Sequence, residues 1–203
     1  MKKICILDYG SGNIQSLKVS INFLGTDCKV SSLKKDIESS SHIILPGVGS
    51  YKKVLTKLKE KIDIDFLEKQ IITKGKYFIG ICVGMQILST TGSEHGLCKG
   101  LDWISGKVDK IKNKGLTLPH VGWNEVDFKQ NNKLSYNKSG NAFYFTHSYA
   151  FKCLNKKNVL GTTCYGEVFD SAINKDNIYG VQFHPEKSQK NGLTFLKKFL
   201  NLR

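Results

Sequence analysis

The chain has 203 residues, 40% of them hydrophobic, which is enough for one domain with its own core, and we expect residues 1–203 to form that single domain. It contains no run of about twenty apolar residues, and the apolar part of its N-terminus is too short for a signal peptide, so we expect neither a membrane span nor secretion. Its six cysteines form no Cys-x-x-Cys pair, which favours reduced thiols in a cytoplasmic protein.

The net charge of +14 raises the question of nucleic-acid binding. The basic residues are nearly all lysine, with Arg203 as the one arginine, and they are spread along the whole chain. Arginine is the side chain expected to contact phosphates and bases, and aromatic residues do not alternate with the lysines as stacking platforms would. The charge therefore favours solvated lysine faces over nucleic-acid binding, and a non-catalytic basic binding module is kept as a remote alternative.

The first half of the chain predicts alternating strands and helices. Apolar runs typical of buried strands occur near residues 3–7, 28–30 and 42–45, and a fourth runs into Gly80. Apolar residues recur at helical spacing in the segments that begin at Ile14, at Tyr51 after a potential Ser50 cap, at Ile64 and at Val83. This alternation indicates an α/β fold, a three-layer, open and mostly parallel sheet flanked by helices.

The second half is richer in strands. Strand patterns occur at residues 103–111, 119–128, 142–151, 159–165, 167–174 and 178–183, with no helix between them, so we expect an antiparallel extension of the sheet. The polar segment 131–141 is typical of a surface loop. The chain ends in a predicted helix that Ser188 is placed to cap.

A candidate nucleophile stands in the segment from Tyr77 to Leu88. Cys82 lies between the predicted strand and the helix that leaves from Val83, and glycines occupy positions 80 and 84. This small-x-nucleophile-x-small pattern is typical of a strained strand-to-helix elbow, where bulkier neighbours would clash. The positive end of a helix dipole favours a thiolate at such a point. On this segment alone, an inert core cysteine is the alternative.

A histidine and a carboxylate, His184 and Glu186, stand two residues apart in the segment 180–188. If this segment continues a strand, the two side chains share a face, so the carboxylate can hold the imidazole in one tautomer. Cys82, His184 and Glu186 then make a complete triad for acyl transfer, while a surface ion pair is the simpler alternative. No cluster of His, Cys, Asp or Glu residues has the spacing of a metal site, and we expect neither a metal nor another cofactor.

Two glycine-rich turns follow predicted strands. In the turn at residues 46–49, Pro-Gly-Val-Gly, backbone N–H groups can face an anion as in an oxyanion hole, although an ordinary turn before a helix is the simpler interpretation. The sequence Gly10-Ser-Gly12 begins like a dinucleotide-binding fingerprint, but Gln15 stands where the third glycine belongs. We do not expect a nucleotide site there.

Six motifs, taken together and in this order, carry a specific resemblance that covers essentially the whole chain. They are Asp8-Tyr-Gly-x-Gly-Asn13, Leu45-Pro-Gly-Val-Gly-Ser50, Gly80-Ile-Cys-Val-Gly-Met-Gln86, Leu118-Pro-His-Val-Gly-Trp-Asn124, Tyr144-Phe-Thr-His-Ser-Tyr149 and Gly180-Val-Gln-Phe-His-Pro-Glu-Lys-Ser188. The sequence resembles the class I, triad-type glutamine amidotransferases, and within them the family of glutaminase subunits of imidazole glycerol phosphate synthases.

The resemblance implies a glutaminase that hydrolyses glutamine to glutamate and ammonia. Cys82 would attack the side-chain amide of glutamine, His184 would transfer protons, and Glu186 would orient the imidazole. The remaining implied site residues are the oxyanion donors, on the backbone of Val48, Gly49 and Val83, and the residues that hold the substrate, Gln86 and Glu94.

The resemblance also implies a partner, a separate TIM-barrel synthase or cyclase subunit that forms a heterodimer with this chain and uses its ammonia in histidine biosynthesis. Asn13, Trp123 and Lys187 match positions at the family's subunit interface. The 46–49 turn would be the switch that keeps the glutaminase nearly silent until the partner is docked and occupied.

Two other functions stay open at this point. The segments 101–104 and 174–179 look like a branch of the family that supplies ammonia for surface-sugar amidation, so an amidotransferase of that kind is an alternative acceptor of the ammonia. A cysteine peptidase or other thiol hydrolase could use the same triad without a partner. Val83 and Val121, which stand where the family more often has leucine and methionine, leave the triad unchanged.

Overall fold

A computed structural model gives the fold and describes residues 3–112, 114–129, 132–135 and 140–203. The strands are β1 (Ile4–Leu7), β2 (Cys28–Ser31), β3 (His42–Gly47), β4 (Tyr77–Cys82), β5 (Thr91–Gly92), β6 (Cys98–Lys99), β7 (Gly106–Lys110), β8 (His120–Glu125), β9 (Asp127–Phe128), β10 (Ala142–His147), β11 (Tyr149–Cys153), β12 (Val159–Tyr165), β13 (Glu167–Lys175) and β14 (Ile178–Val181). The helices are α1 (Ile14–Phe23), α2 (Lys34–Ser39), α3 (Tyr51–Lys61), α4 (Ile64–Glu68), α5 (Val83–Gln86) and α6 (Gln189–Leu200).

The main sheet has the order β2-β1-β3-β4-β14-β13-β12-β9. The strands from β2 to β14 are parallel, and β13, β12 and β9 extend the sheet in antiparallel pairs. Helices flank this sheet, which confirms the predicted fold class. Strands β1 and β3 are buried along their whole length, as expected for parallel strands covered on both faces.

Two of the predicted long strands are each divided between two sheets. The 119–128 strand becomes β8, which pairs with β10, and β9, which pairs with β12 in the main sheet. The 142–151 strand becomes β10 and β11, and β11 pairs with β7 in a third sheet of order β11-β7-β5-β6. The prediction of single strands was wrong here because partner strands distant in sequence decide where each pairing ends.

Other predicted elements differ in their bounds. Helix α2 was not predicted, and the helix predicted to begin at Ile64 is α4 followed by a π-helical turn over Lys69–Thr73. The 103–111 strand begins only at Gly106, and the 178–183 strand ends at Val181. Of the predicted 131–141 loop, residues 131 and 136–139 lie outside the described residues, and Leu134 is buried rather than exposed.

Neither predicted serine cap forms a capping hydrogen bond. At the start of α3 the Tyr51 N–H donates instead to the Glu94 carboxylate, 2.7 Å away. The Ser188 hydroxyl, at the start of α6, donates to the His184 carbonyl and accepts from the Tyr144 N–H. Both contacts join segments distant in sequence, and both lie beside the predicted site.

The parallel half of the sheet determines where the predicted site residues meet. Strands β3, β4 and β14 are neighbours and run in the same direction, so the segments that follow them leave from one edge of the sheet. These segments begin at Val48, Val83 and Gln182. Carboxyl ends of parallel strands are where α/β sheets place their ligands.

Candidate active site

Cys82 ends β4 and stands immediately before α5. Its backbone has φ 55° and ψ −114°, a conformation that costs a non-glycine residue about 1–3 kcal/mol. Glycines allow β3 and α5 to approach closely here, because a Cβ on Gly84 would collide with the Leu45 carbonyl and a Cβ on Gly47 with the Gly84 amide. The predicted elbow is therefore present, although the helix that leaves it is a single turn.

His184 and Glu186 contact each other as predicted, but for a different structural reason. The prediction placed them on one face of a strand, whereas β14 ends at Val181 and residues Pro185–Lys187 form a 3-10 turn. This turn brings the His184 Nδ1 atom 2.9 Å from Oε1 of Glu186, with both side chains about 97% buried or more. The Nε2 atom of His184 is buried and has no hydrogen-bond partner among the described residues.

The sulfur and the imidazole are electrostatically coupled. Burial by itself lowers the pKa of His184, but the negative charge of the nearby Cys82 sulfur, together with the hydrogen bond and charge of Glu186, raises it to about 10. At neutral pH the histidine therefore carries the proton. A protonated histidine beside the Cys82 sulfur is suited to act as the acid and base for a cysteine nucleophile.

One cavity of about 210 Å³ brings together the sulfur, the imidazole and most of the other predicted site residues. This volume is below the range typical of pockets for drug-sized ligands, so it suits a molecule as small as an amino acid. The predicted residues that line it are Val48, Gly49, Cys82, Val83, Gln86, Glu94 and His184. A further wall comes from the 146–149 segment between β10 and β11, which the prediction did not assign to the site.

Gln182 is a residue that the sequence reasoning missed. It is fully buried, and its Nε2 atom lies 3.6 Å from the Cys82 sulfur, within hydrogen-bond range for sulfur. Its Oε1 atom accepts a 2.9 Å hydrogen bond from Gln86 Nε2, which also donates to the Tyr149 carbonyl at 2.9 Å. Gln182 stands in the motif that contains His184, so its position two residues before the histidine was the available signal.

The end of β3 and the residues that follow it are held by the segment after β1. The Tyr9 hydroxyl donates to the Pro46 carbonyl at 2.5 Å, and the Ser11 hydroxyl donates to the Val48 carbonyl at 2.8 Å. The Val48 side chain is half exposed, and Gly49 has φ +116°, which favours glycine. These contacts fix which way the backbone groups of the 46–49 turn face.

The predicted interface residues lie on or next to one surface. The Trp123 ring is 48% exposed and packs edge-on against Tyr144, with centroids 6.3 Å apart. The Lys187 ammonium lies 5.5 Å from the centre of the Tyr144 ring. Asn13 is also part of the inner site, since its Nδ2 atom donates to Glu186 Oε1 at 3.2 Å.

A larger cavity of about 810 Å³ opens beside β7, β11 and β13 and is lined by lysine, acidic and apolar side chains. None of the described residues that line it is a cysteine or a histidine, so it lacks the groups of the predicted chemistry. Over the described ranges, no group of three or more His, Cys, Asp or Glu side chains is arranged to hold a metal ion. In the same ranges, no helix combines the length and the apolar character needed to cross a bilayer.

Comparisons with protein families and curated proteins agree with the geometry of the site. Residues 5–202 match the family described as glutamine amidotransferase class-I. The chain is 46% identical over 199 residues to imidazole glycerol phosphate synthase subunit HisH 2 of Methanococcus maripaludis, covering 97% of this chain and 98% of that protein. It is 42% identical over 204 residues to imidazole glycerol phosphate synthase subunit HisH of Leptospira interrogans, covering 98% of this chain and all of that protein.

Solved structures show a similar fold at low sequence identity. The structure of PurLQS from Thermotoga maritima matches with a TM-score of 0.75 at 19% identity, covering 98% of both chains. A glutamine amidotransferase from Thermotoga maritima matches with a TM-score of 0.65 at 16% identity, covering 98% of this chain and 82% of that one. At such identities the similarity concerns the fold alone.

Proposed function

The chain belongs to the class-I glutamine amidotransferases, and on that premise we propose that it is the glutaminase subunit of an imidazole glycerol phosphate synthase. It would hydrolyse glutamine to glutamate and pass the ammonia to a synthase subunit in histidine biosynthesis, a pathway of the cytoplasm. The observation that carries the proposal is that Cys82 and His184 line the same small cavity.

In the first half of the reaction, the Cys82 thiolate attacks the carbon of the glutamine side-chain amide. The His184 imidazolium then gives its proton to the departing nitrogen, so ammonia leaves and a thioester to Cys82 remains. Glu186 holds the Nδ1 hydrogen of His184, which keeps the Nε2 atom directed at the reacting groups and stabilises the charged ring. The raised pKa of His184 supports this order, because the ring carries its proton before substrate arrives.

In the second half, the now neutral His184 removes a proton from water as the water attacks the thioester. Glutamate leaves, and the proton stays on the ring, which restores the ion pair. Both halves pass through a tetrahedral intermediate with a negatively charged oxygen. We assign the stabilisation of this oxyanion to the Val83 N–H and to the backbone of Val48 and Gly49. All three residues line the cavity that contains the sulfur.

Gln86 and Glu94 are assigned to the substrate glutamine. Both N–H groups of Gln86 are already used within the protein, so its carbonyl oxygen is the group left to accept a hydrogen bond from the substrate. One carboxylate oxygen of Glu94 accepts from the Tyr51 N–H at the start of α3, and this fixes the carboxylate at the cavity wall. There it can attract the positively charged amino group of an amino acid.

The chemistry of ammonia, as well as the family, supports the presence of a partner subunit. Ammonia released into water at neutral pH becomes ammonium, which is not a nucleophile, so it must be delivered directly. We propose a TIM-barrel synthase subunit that docks as a heterodimer against Trp123 and Lys187 near the Asn13 end of the site. Docking would turn a peptide of the 46–49 turn until its N–H faces the oxyanion.

The test is glutamate release from glutamine, measured with the chain alone and with histidine-pathway and sugar-amidating TIM-barrel synthases, each with its ligand. We expect a low rate alone and strong stimulation by the histidine-pathway synthase. Stimulation only by the sugar-amidating synthase would reassign the acceptor, whereas glutamine hydrolysis that ignores every partner would overturn the proposal. Peptide hydrolysis by the chain alone would support the thiol-hydrolase alternative, for which the 210 Å³ cavity is small.

A further inference from the structure

Two buried histidines outside the triad lie at the wall of the candidate active site, with His147 in the lining of the cavity and His120 beside it. His120, in β8, and His147, at the end of β10, are directly opposite each other in the two-stranded sheet. His120 Nδ1 lies 3.1 Å from His147 Nε2, and both residues are at least 94% buried. Neither is needed by the proposed mechanism, although each belongs to one of the sequence motifs.

Asn124 determines which nitrogen of His120 carries the hydrogen. Its Oδ1 atom accepts from the Glu125 N–H at 2.8 Å, and its Nδ2 atom donates to the Cys164 carbonyl at 3.0 Å, so the orientation of the amide is fixed. The same Nδ2 atom faces His120 Nε2 at 3.3 Å. His120 Nε2 must therefore be the acceptor, and the hydrogen of the neutral ring is on Nδ1.

The same reasoning fixes His147. Its Nε2 atom accepts the hydrogen on His120 Nδ1, so its own hydrogen is on Nδ1, which lies 2.8 Å from the Tyr149 carbonyl. A carbonyl can only accept, which agrees with that assignment. The hydrogen bonds therefore run in one direction, from Asn124 through both imidazoles to the Tyr149 carbonyl.

The surroundings favour this neutral arrangement. The His120 ring stacks on Tyr165 at 4.0 Å and on Phe145 at 4.9 Å, and His147 packs edge-on against Phe169 at 5.1 Å. Burial lowers the pKa of His120 to about 4 and that of His147 to about 3. A proton on either ring would also place two N–H donors face to face.

The Tyr149 carbonyl joins this chain to the site. It accepts from His147 Nδ1 on one side and from Gln86 Nε2 on the other. Gln86 is bonded to Gln182, which donates to the Cys82 sulfur. The position of the carbonyl therefore sets the position of Gln86 in the cavity.

We propose that His120 and His147 are positioning residues that fix the Tyr149 carbonyl and, through it, the pocket wall and Gln86 for binding glutamine. The role rests on the proposed glutaminase activity. It acts on the pocket wall rather than on the reacting atoms, so its loss should weaken substrate binding more than it slows the chemical step.

The test compares His147→Phe, which keeps the aromatic packing but removes both ring nitrogens, with His147→Asn, whose amide N–H can occupy the place of Nδ1. In the stimulated complex we expect His147→Phe to raise KM for glutamine about tenfold, the effect of losing one buried hydrogen bond, with kcat within about threefold of wild type. His147→Asn should restore KM to within about threefold, and His120→Phe should raise KM less than His147→Phe. Unchanged KM in His147→Phe, or failure of His147→Asn to restore it, would overturn the proposal.

A buried histidine elsewhere provides the matched control. His42, at the start of β3, stacks on Tyr77 at 5.1 Å, and His42→Phe replaces a similar ring far along the strand from the site. We expect it to change thermal stability without changing KM. An equal rise in KM would show that general loosening of the core explains the effect.

A second measurement does not depend on activity. Nitrogen-15 NMR of the imidazoles should show His120 and His147 as neutral Nδ1–H tautomers at neutral pH. Observation of an Nε2–H tautomer or a charged ring would refute the hydrogen-bond chain from Asn124 to the Tyr149 carbonyl, even if the enzyme were active. If the wild-type complex released no glutamate while both tautomers were as expected, the proposed function would fail and the hydrogen-bond chain would stand.

Discussion

Asn13 Nδ2 lies 3.2 Å from Glu186 Oε1, the same oxygen that accepts the Nδ1 hydrogen of His184 at 2.9 Å. Asn13 precedes α1 and is near the surface proposed for docking, so one side chain contacts both that region and the triad carboxylate. The Oε2 atom of Glu186 has no hydrogen-bond partner among the described residues, which leaves Oε1 to hold both donors. A movement of Asn13 on docking would therefore reach His184 through Glu186.

Removing the Asn13 amide should loosen the triad carboxylate. In the stimulated complex, we expect Asn13→Ala to lower kcat for glutamine about three- to tenfold, because Glu186 loses one of its two hydrogen bonds. Asn13→Asp should be more severe, since a second carboxylate would repel Glu186. Steady-state kinetics would measure both, with Asn22→Ala on the exposed side of α1 as the control, and equal rates in all three variants would contradict this coupling.

Replacing the nucleophile should change both catalysis and the state of the imidazole. Cys82→Ala should abolish glutamate release while the complex with the synthase still forms, as seen by co-elution in gel filtration. The pKa of His184 should also fall, since burial lowers it and the charge that opposes burial most strongly is gone. NMR titration would measure that shift. Cys153→Ala, at another buried cysteine, is the control and should retain full activity.

The Ser11 hydroxyl should hold the 46–49 turn in its resting orientation. Its hydrogen bond to the Val48 carbonyl, at 2.8 Å, opposes any rotation of that backbone. We expect Ser11→Ala to raise glutamate release by the chain alone by about threefold to tenfold, with little change once the partner is docked. Ser11→Thr keeps a hydroxyl and should behave like wild type; an unstimulated rate that falls or stays the same in Ser11→Ala would count against the switch.

Stability should be greatest near neutral pH and fall on both sides. Burial lowers the pKa of His120 to about 4 and that of His147 to about 3 in the folded state. Below about pH 6.5, the pKa of an unfolded histidine, the unfolded chain therefore binds more protons than the folded chain. Stability is therefore lost as pH falls, at about 1.4 kcal/mol per pH unit for His147 alone, with a further contribution in the same direction from His120. On the alkaline side His184, with its pKa raised to about 10, keeps its proton in the folded state above about pH 8.5, where an unfolded chain has lost the protons of both a cysteine and a histidine, so this contribution is lost as pH rises from about 8.5 through 10.

Urea unfolding at a series of pH values would measure the free energy of unfolding on both limbs of the stability curve, the acid limb below neutral pH and the alkaline limb above it. His147→Asn should flatten the acid limb between about pH 4 and 6.5, and Cys82→Ala should flatten the alkaline one because it lowers the pKa of His184. Asp36, Glu38 and Asp63, whose carboxyl pKa values are lowered by hydrogen bonds to lysines, lose their contributions below about pH 5, but they do so equally in both proteins and therefore leave the comparison unaffected. An acid limb that is unchanged in His147→Asn would refute the assignment.

The local part of the site could be predicted from the sequence. Cys82 between Gly80 and Gly84 predicts an elbow because the steric constraint acts between residues that are neighbours in sequence. Apolar strand patterns that alternate with segments of helical periodicity predict a parallel sheet, and these patterns too are local. The pairing of His184 with Glu186 followed from their spacing, although a 3-10 turn, and not a strand, brings them together. The roles of these residues stay predictions until the variants are measured.

The α/β class, the candidate nucleophile and the residues that accompany it in short motifs can thus be inferred from the order of amino acids. The contacts between Asn13 and Glu186, 173 residues apart, and between Gln182 and Cys82, 100 residues apart, become visible only in the folded chain. The same is true of the points where the strand patterns at 119–128 and 142–151 change sheets, and so of the pairing of His120 with His147. The physical reason is that hydrophobic periodicity specifies which face of a segment is buried, whereas its neighbour across a sheet depends on the packing of the whole chain.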